Sequence, residues 1–174
     1  MSGIIRKATI QDLDQLLRLS KQTFYTSHGH SASPADIENY VSKNLNASAL
    51  ASELKDSENH FYLIFCKGEL AGYSKIAFNV ANSNLKETSI TKMERLYIVK
   101  EFYGSGIANQ LLEYNIDFTK SNLQSGMWLN VWVENIRALK FYTKMGFKKI
   151  GDYKFKISDN HSNPNHVMFL DFDH

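Results

Sequence analysis

Two glycines, Gly104 and Gly106, lie where a strand-like run ends at Val99 and a helical stripe begins at Ile107. Glycine has no Cβ, so amide N–H groups can converge there, and a helix start adds unpaired donors and a positive partial charge. The chemistry on offer is a seat for a phosphate or diphosphate. Two glycines also suit any tight turn, and on this segment alone both readings stand. The flanking residues narrow the choice among phosphate binders. A P-loop requires lysine and a hydroxyl residue after its last glycine, where this chain has Ile107 and Ala108. A dinucleotide fingerprint requires a third glycine where this chain has Asn109. His28 and His30 are two residues apart, as loop histidines, with no third ligand in a patterned place, so no metal is expected. Cys66 sits in an apolar run and reads as an inert core thiol, not a nucleophile.

The elements that must position these residues follow from hydrophobic periodicity. Ile4 to Ala8 reads as a first strand. Thr9 and Asp12 have capping-box spacing ahead of an apolar stripe at Leu13, Leu16, Leu17 and Phe24. Ser33, Pro34 and Asp36 open a second helix carrying Ile37, Tyr40, Val41 and Leu45. A third, short helix is expected over Ser48 to Lys55. Phe61 to Cys66 and Leu70 to Val80 form a hairpin about Lys67-Gly68-Glu69. Thr91 to Val99 is a further strand, on which Met93, Arg95 and Tyr97 are expected to alternate with Glu94, Leu96 and Ile98. A helix with Ile107, Leu111, Leu112, Asn115 and Phe118 on one stripe follows, then a strand over Met127 to Val133 and a helix over Ile136 to Met145 stopped by Gly146. Lys148 to Lys156 and Val167 to Phe172 close the chain as strands around a polar loop, Ser158 to Asn165. That order predicts one α/β domain over 1–174, its mixed sheet antiparallel early and parallel at the first crossover.

The segment from Val99 to Ala108 resembles the acyl-CoA-binding motif of the GNAT N-acetyltransferase superfamily: Gln or Arg, two residues, Gly, one residue, Gly or Ala. Gly104 and Gly106 match, and Glu101 departs from the usual Gln or Arg. Asn135 to Phe147 resembles the same family's next motif, in which Asn135, Ala138, Phe141-Tyr142 and Gly146-Phe147 match at every named position. The resemblance covers Ile4 to about Phe172. It implies the GNAT fold, an α/β (α+β) domain with a mixed seven-stranded sheet, helices on both faces, and a CoA seat between the central strand and the following helix. Acetyl-CoA would be the cosubstrate. Tyr103, Gly104, Ser105, Gly106, Ile107 and Ala108 would hold its diphosphate. Leu96, Tyr97, Ile98 and Val99 would offer main-chain groups to the pantetheine. Asn135, Ala138, Phe141, Tyr142 and Lys144 would complete the cofactor contacts.

The family's reaction moves an acetyl group directly from CoA to an amine. An alkylammonium has no lone pair and an ordinary pKa near ~10.4, so it must shed a proton before attack. A carboxylate can take that proton directly or through water, and a proton donor helps the thiolate leave. Tyr142 falls on the position of the family's usual general acid. Glu94 falls where spermidine/spermine N-acetyltransferases place a substrate-side glutamate, as base or as positioner of the amine. The stretches Thr23 to Ile37 and Met93 to Ile98 are similar to the PaiA group of bacterial polyamine N-acetyltransferases, which implies spermidine or spermine as acceptor. Tyr25 and Glu94 are then the leading cation contacts, while Asp36 and Tyr40 fit helix-start and core roles better. A protein N-terminus or lysine as acceptor, or a CoA-binding regulatory domain without transfer, remains open.

Composition sets the outer bounds. The chain has 174 residues, 43% hydrophobic and 22% charged, which excludes extended disorder as the main state. A net charge of +2 gives no field for a nucleic acid or a membrane surface. One cysteine excludes an intrachain disulfide framework and a multi-cysteine zinc cluster, and it suits a reducing, cytoplasmic setting. Neither a secretory signal nor a membrane span is expected. A small-molecule amine is the expected partner, with the protein a monomer or a homodimer.

Overall fold

Seven strands form one sheet in the order β1-β2-β3-β4-β5-β7-β6. The structure is a computed structural model and describes residues 2–172. Met1, Asp173 and His174, part of the span expected over 1–174, lie outside the described residues. Strands β1 (Ile4–Lys7), β2 (Asn59–Cys66), β3 (Glu69–Ala77) and β4 (Ile90–Ile98) are antiparallel neighbours. Strand β5 (Gly126–Trp132) runs parallel to β4. β7 (Ser162–Asp171) lies antiparallel between β5 and β6 (Lys148–Lys156). The helices are α1 (Leu13–His28), α2 (Pro34–Asn44), α3 (Ala47–Lys55), α4 (Ile107–Ser121) and α5 (Ile136–Lys144).

Both faces of the sheet are covered. Phe61 and Leu63 of β2 pack with Tyr73 against Leu16 and Leu19 of α1 and Leu50 of α3. The alternate residues Tyr62 and Ile64 pack against Ile107 and Leu111 of α4. This two-sided burial is why Phe61 to Cys66 reads as an unbroken apolar run. Leu112 of α4 and Tyr142 of α5 pack with Met127, Leu129 and Val131 of β5. Asn115, a polar residue on the α4 stripe, is fully buried, and its Nδ2 donates to Ser74 Oγ at 2.9 Å and to the Leu111 carbonyl at 2.7 Å. That bond ties α4 to β3.

The helix starts follow from side-chain acceptors. Asp36 N donates to Ser33 Oγ at 3.2 Å, and Ala49 N to Asn46 Oδ1 at 2.9 Å. At the head of α1 the chain first makes a 3₁₀ turn, Ile10–Asp12. Asp12 there is nearly buried and accepts from Arg6 Nη1 (2.8 Å) and Nη2 (2.7 Å), Thr9 N (2.8 Å) and Gln15 Nε2 (2.5 Å). The carboxylate thus locks α1 to β1.

Three sequence expectations change. The second half of the loop expected over Ser158 to Asn165 is strand: β7 begins at Ser162, which pairs with Lys156, so the hairpin closes more tightly. β3 ends at Ala77 rather than Val80. The alternation expected along β4 is also broken. Lys75 pairs with Arg95 and the next residue, Ile76, with Met93, which leaves Glu94 as the extra residue of a β-bulge. Met93 accordingly packs with Leu112 and Met127 on the α4 face, while Arg95 and Tyr97 turn to the α1 face beside Glu53 and Tyr73. One inserted residue reverses the parity of the strand.

The bulge lies two residues past a second irregularity. β4 and β5 pair only at Ile90–Gly126, Thr91–Met127 and Lys92–Trp128. Beyond that point the strands have no ladder between them, and a cavity opens in the gap.

Asp12→Ala is expected to lower stability by roughly 2 kcal/mol, since it strips a near-buried carboxylate from charged and backbone donors. First Arg6, then Thr9 and Gln15, hold the Asp12 carboxyl below its ordinary range against the opposing effect of burial. A carboxyl depressed by folding stabilises above the ordinary carboxylate pKa and loses that contribution as pH falls below it. Urea melts from pH 7 to 3 should show an acid loss in the wild type that is smaller in the variant.

Candidate active site

The glycine turn is built from local bonds. Val99 leads into a single 3₁₀ turn, Lys100–Phe102, with Phe102 N donating to the Val99 carbonyl at 2.9 Å. Gly104 and Gly106 both adopt left-handed backbone, φ +73° and +86°, and a Cβ built on either would meet open space. Gly106 is the N-cap of α4 and supplies no side-chain cap. The first intrahelical bond runs from Gln110 N to the Gly106 carbonyl at 3.2 Å, so the amides of Ile107, Ala108 and Asn109 precede the ladder. A diphosphate fits here: donors are available, a helix dipole points outward, and no side chain blocks approach. The Ser105 hydroxyl donates to the Phe102 carbonyl at 2.6 Å, which pins the turn. Ile107 contributes only its amide, because its side chain is fully buried in the core. Glu101 is exposed and lines a separate groove with Arg18 and Gln22 of α1. A cation instead arrives from α5, where the Arg137 guanidinium lies 3.6 Å from the Tyr103 ring centroid.

The gap between β4 and β5 holds a cavity of ≈290 Å³. Its walls come from α1 (Phe24, His28), β4 (Lys92 to Tyr97), β5 (Leu129 to Trp132) and α5 (Asn135, Ala138, Tyr142). Asn135 Oδ1 accepts from Ala138 N at 3.2 Å, so Asn135 caps α5 while facing the cavity. Ala138 and Tyr142 follow on the same helix face, four residues apart. The Tyr142 ring meets Phe141 and Phe147 edge-on at 5.1 and 5.5 Å, and no hydrogen bond to its hydroxyl is present among the described residues. Burial pushes the phenol well above its ordinary pKa, and the Arg137 charge opposes that push. The phenol therefore keeps its proton at neutral pH.

Glu94 reaches the cavity through the bulge, but it is not alone. Its carboxylate pairs with Lys75 Nζ, a nearly buried ammonium that also pairs with Glu53 at 2.8 Å. Glu53 in turn accepts from Arg95 at 3.0 Å. Burial raises the Glu53 pKa, but Arg95 and Lys75 more than offset it, so Glu53 sits below its usual range. Two cations and two anions thus form a balanced quartet under the cavity floor.

The other predicted residues are distributed as follows. Leu96 and Tyr97 line the cavity. Ile98 is core, and both main-chain groups of Val99 are engaged, its N–H with the Ala71 carbonyl at 2.8 Å and its carbonyl with Phe102 N. Phe141 is half-buried against the core, and Lys144 is exposed on the last turn of α5. Tyr25 does not line the cavity; it is exposed and its hydroxyl donates to Glu38 Oε2 at 2.6 Å. Asp36 is half-buried at the α2 start, where Ser33 Oγ donates to it at 2.9 Å. Tyr40 does line the cavity, stacked on Phe24 at 5.0 Å. Cys66 is fully buried in β2. Among the described residues no group of three His, Cys, Asp or Glu side chains is placed to hold a metal.

Several cavity residues escaped sequence reasoning. His28 is not in a loop: it ends α1, four residues after Phe24, and shares that residue's inward face. The helical spacing was a usable signal. Trp132 and Asn130 gave no comparable one, because their exposure to the cavity depends on where the ladder stops.

Comparison with known proteins gives one family. The acetyltransferase (GNAT) domain model matches residues 22–157, and the chain belongs to that family. It is an acetyl-CoA-dependent N-acetyltransferase. An uncharacterized N-acetyltransferase in the pepI 3′ region of Lactobacillus delbrueckii subsp. lactis is 29% identical, with 92% of this chain and 93% of the relative covered. An N-alpha-acetyltransferase of Sulfolobus acidocaldarius is 25% identical over 89% of this chain and 85% of its own. Among solved structures, the PaiA N-acetyltransferase of Thermoplasma acidophilum in complex with coenzyme A superposes with a TM-score of 0.78. That pair shares 22% identity, with 99% of this chain and 100% of the other covered, a likeness of fold. No helix among the described residues is long and apolar enough to cross a membrane.

Gly104→Ala and Gly106→Ala are each expected to lose roughly 1 kcal/mol of stability to left-handed backbone and to weaken CoA binding by about tenfold or more. Gly68→Ala is the control, since Gly68 also has positive φ (+83°) and open space in front of it but lies in the β2–β3 turn. Calorimetric titration with CoA should separate the first two from the third. An equal affinity loss in all three would sink the seat.

Proposed function

We propose that this chain acetylates the primary amine of a small molecule held in the β4–β5 gap, with a polyamine such as spermidine or spermine as acceptor. The single observation that carries this reading is the juxtaposition of Tyr142, Glu94 and a ring-lined cavity at the point where the parallel ladder stops. CoA enters with its diphosphate on the amides of the Gly104–Ala108 turn and its thioester directed along the unpaired edge of β4. The free-base amine nitrogen attacks the carbonyl carbon, the C–S bond breaks, Tyr142 protonates the departing sulfur, and the proton shed by the nitrogen passes through a base on the cavity wall to restore the phenol. Glu94 draws in a second, still-protonated nitrogen of the acceptor, and the faces of Phe24, Tyr40 and Trp132 hold its alkyl chain and charge. What supports a polyamine is the similarity of Thr23 to Ile37 and Met93 to Ile98 to the PaiA group. The lone buried Cys66 suits a cytoplasmic setting.

A second acceptor has its own support. Lys92 and Arg95 also line the cavity, and cations there suit an acceptor that carries a carbonyl or carboxylate, such as a peptide N-terminus. The name of the Sulfolobus relative points the same way. Acetyl-CoA turnover followed by thiol release should rank spermidine and spermine above diamines, aminoglycosides, amino acids and N-terminal peptides. Preference for the peptides would replace the acceptor, and no turnover on any of them would remove the reading.

Tyr142→Phe is expected to lower kcat by ~10²–10⁴-fold, the range for loss of a positioned proton donor, with CoA affinity unchanged. Equal losses in kcat and in CoA binding would make Tyr142 structural. Unchanged turnover would leave a CoA-binding domain whose chemistry lies elsewhere.

A further inference from the structure

We propose that His28, not Glu94, takes the amine proton during acetyl transfer, through a free Nε2 lone pair directed at the cavity. The proposal rests on the acetyl-transfer reading above and names the proton acceptor within it.

Three elements fix the imidazole. It stacks on Phe24 of α1 at 5.2 Å, meets Trp132 of β5 at 5.8 Å and meets Tyr97 of β4 edge-on at 6.4 Å. Its tautomer follows from Ser27. The Ser27 hydroxyl has one proton, and it lies 2.8 Å from the Thr23 carbonyl, the back-bond that helical serines commonly make. His28 Nδ1 lies 2.6 Å from the same Ser27 oxygen. With the hydroxyl proton committed to Thr23, Nδ1 carries the hydrogen and donates it to Ser27 Oγ. Nε2 then holds a lone pair, and no described residue donates to it. A neutral imidazole with a fixed ring plane and an open acceptor nitrogen is a proton acceptor in waiting.

Its surroundings keep it neutral. Burial, then the nearby His30, lowers the His28 pKa to about 4. Facing it are His30 from the turn after α1, Tyr97 from β4, Trp132 from β5, and Phe24 and Ser27 from its own helix. The cavity's other titratable and charged groups are Lys92, Glu94, Arg95, Tyr40, Tyr73 and Tyr142. Among the described residues, Tyr97 is the titratable cavity group whose ring meets the imidazole. Glu94 is poorly suited to the task. Protonating it would remove one counter-charge from Lys75, a nearly buried ammonium, and breaking a buried pair is costly.

The protons balance. The amine enters as its free base and its nitrogen bonds to the thioester carbon. The adduct's nitrogen is then positively charged and far more acidic than the parent ammonium, so a weakly basic imidazole suffices. Nε2 takes that proton as the C–S bond breaks, and the Tyr142 phenol protonates the sulfur. The imidazolium proton then restores the tyrosinate, leaving amide and free thiol. While it lasts, the imidazolium is held against the π-faces of Phe24 and Trp132.

The test compares His28→Ala with Glu94→Gln in the intact chain, using acetyl-CoA and whichever amine the wild type turns over. His28→Ala is expected to lose ~10²–10⁴-fold in kcat with CoA affinity intact, and added imidazoles should restore rate in proportion to their basicity. Glu94→Gln should mainly raise the KM of the amine. Full activity in His28→Ala, or rescue that ignores basicity, overturns the proposal. If His28→Ala does not fold, nitrogen-15 spectra of the wild-type imidazole decide: hydrogen on Nδ1 supports the assignment and hydrogen on Nε2 overturns it. A wild type inactive on every amine would instead bring down the acetyl-transfer reading and this proposal with it, whereas loss confined to Glu94→Gln removes this proposal alone.

Discussion

Parallel pairing between β4 and β5 that ends at Lys92–Trp128 is the constraint on which the rest of the molecule depends. A ladder broken inside a sheet leaves backbone donors and acceptors without partners, which a folded protein tolerates only where something else meets them. Each strand keeps its other neighbour: β4 stays paired with β3, and β5 with β7 along its full length. The wedge is held open from both ends. At the far end of β5 the chain turns straight into α5, with Asn135 N donating to the Trp132 carbonyl at 2.9 Å. On the other side α1 is clamped by Asp12 at its start and by the aromatic contacts of Phe24 and His28 at its end. The gap is therefore a supported feature of the fold, and a thioester can lie where a strand would otherwise pair.

Charge near the gap is arranged to cancel. Lys75 lies in the middle of an apolar strand and is 6% exposed, a position that would be prohibitive for a lone ammonium. Glu53 from α3 and Glu94 from the bulge neutralise it, and Arg95 completes the set. Had β4 kept its regular alternation, Glu94 would have faced the α4 core, where no cation waits. The bulge thus serves two ends at once, turning a carboxylate out of the apolar side and supplying a counter-ion to Lys75. Such a quartet contributes little net stability, because desolvation cancels most of the Coulomb attraction. Its effect is to fix the position of Glu94 at the cavity floor.

The parts of this arrangement legible in the sequence were the local ones. Gly104 and Gly106 announce a left-handed turn because only glycine tolerates that backbone without strain, and the strand-to-helix switch around them is visible in periodicity. Asn135 and Ala138 sit at the spacing of a helix cap, and the structure uses them so. Helix starts at Ser33 and the hairpin at Lys67-Gly68 were equally local. What could not be read was long-range. A β-bulge leaves no mark in a strand whose residues on both faces include apolar ones, so the period-2 pattern assigned Met93 to the wrong face. The extension of β7 to Ser162 through Asn163, Pro164 and Asn165 was hidden because polar residues and proline read as loop. Asn163 is nonetheless 2% exposed, since it donates to Ser31 Oγ at 2.8 Å across the chain. Tyr25 on α1 and Tyr40 on α2 are separated by which way their helices turn them: one faces solvent and Glu38, the other the cavity.

Helix α5 joins the two halves of the site in one rigid element of nine residues. Its N-cap Asn135 and its inward residues Ala138 and Tyr142 border the cavity, while Arg137 on an outer face reaches the Tyr103 ring beside the glycine turn. The same guanidinium is close enough to temper the upward push that burial exerts on the Tyr142 phenol. A helix this short transmits displacement with little loss, because its hydrogen-bonded turns do not bend independently. Arg137 and Tyr142 thus share one helix, the guanidinium beside the glycine turn and the phenol ring on the cavity wall. The turn and the cavity are therefore bordered by a single rigid element, which fixes their placement relative to each other.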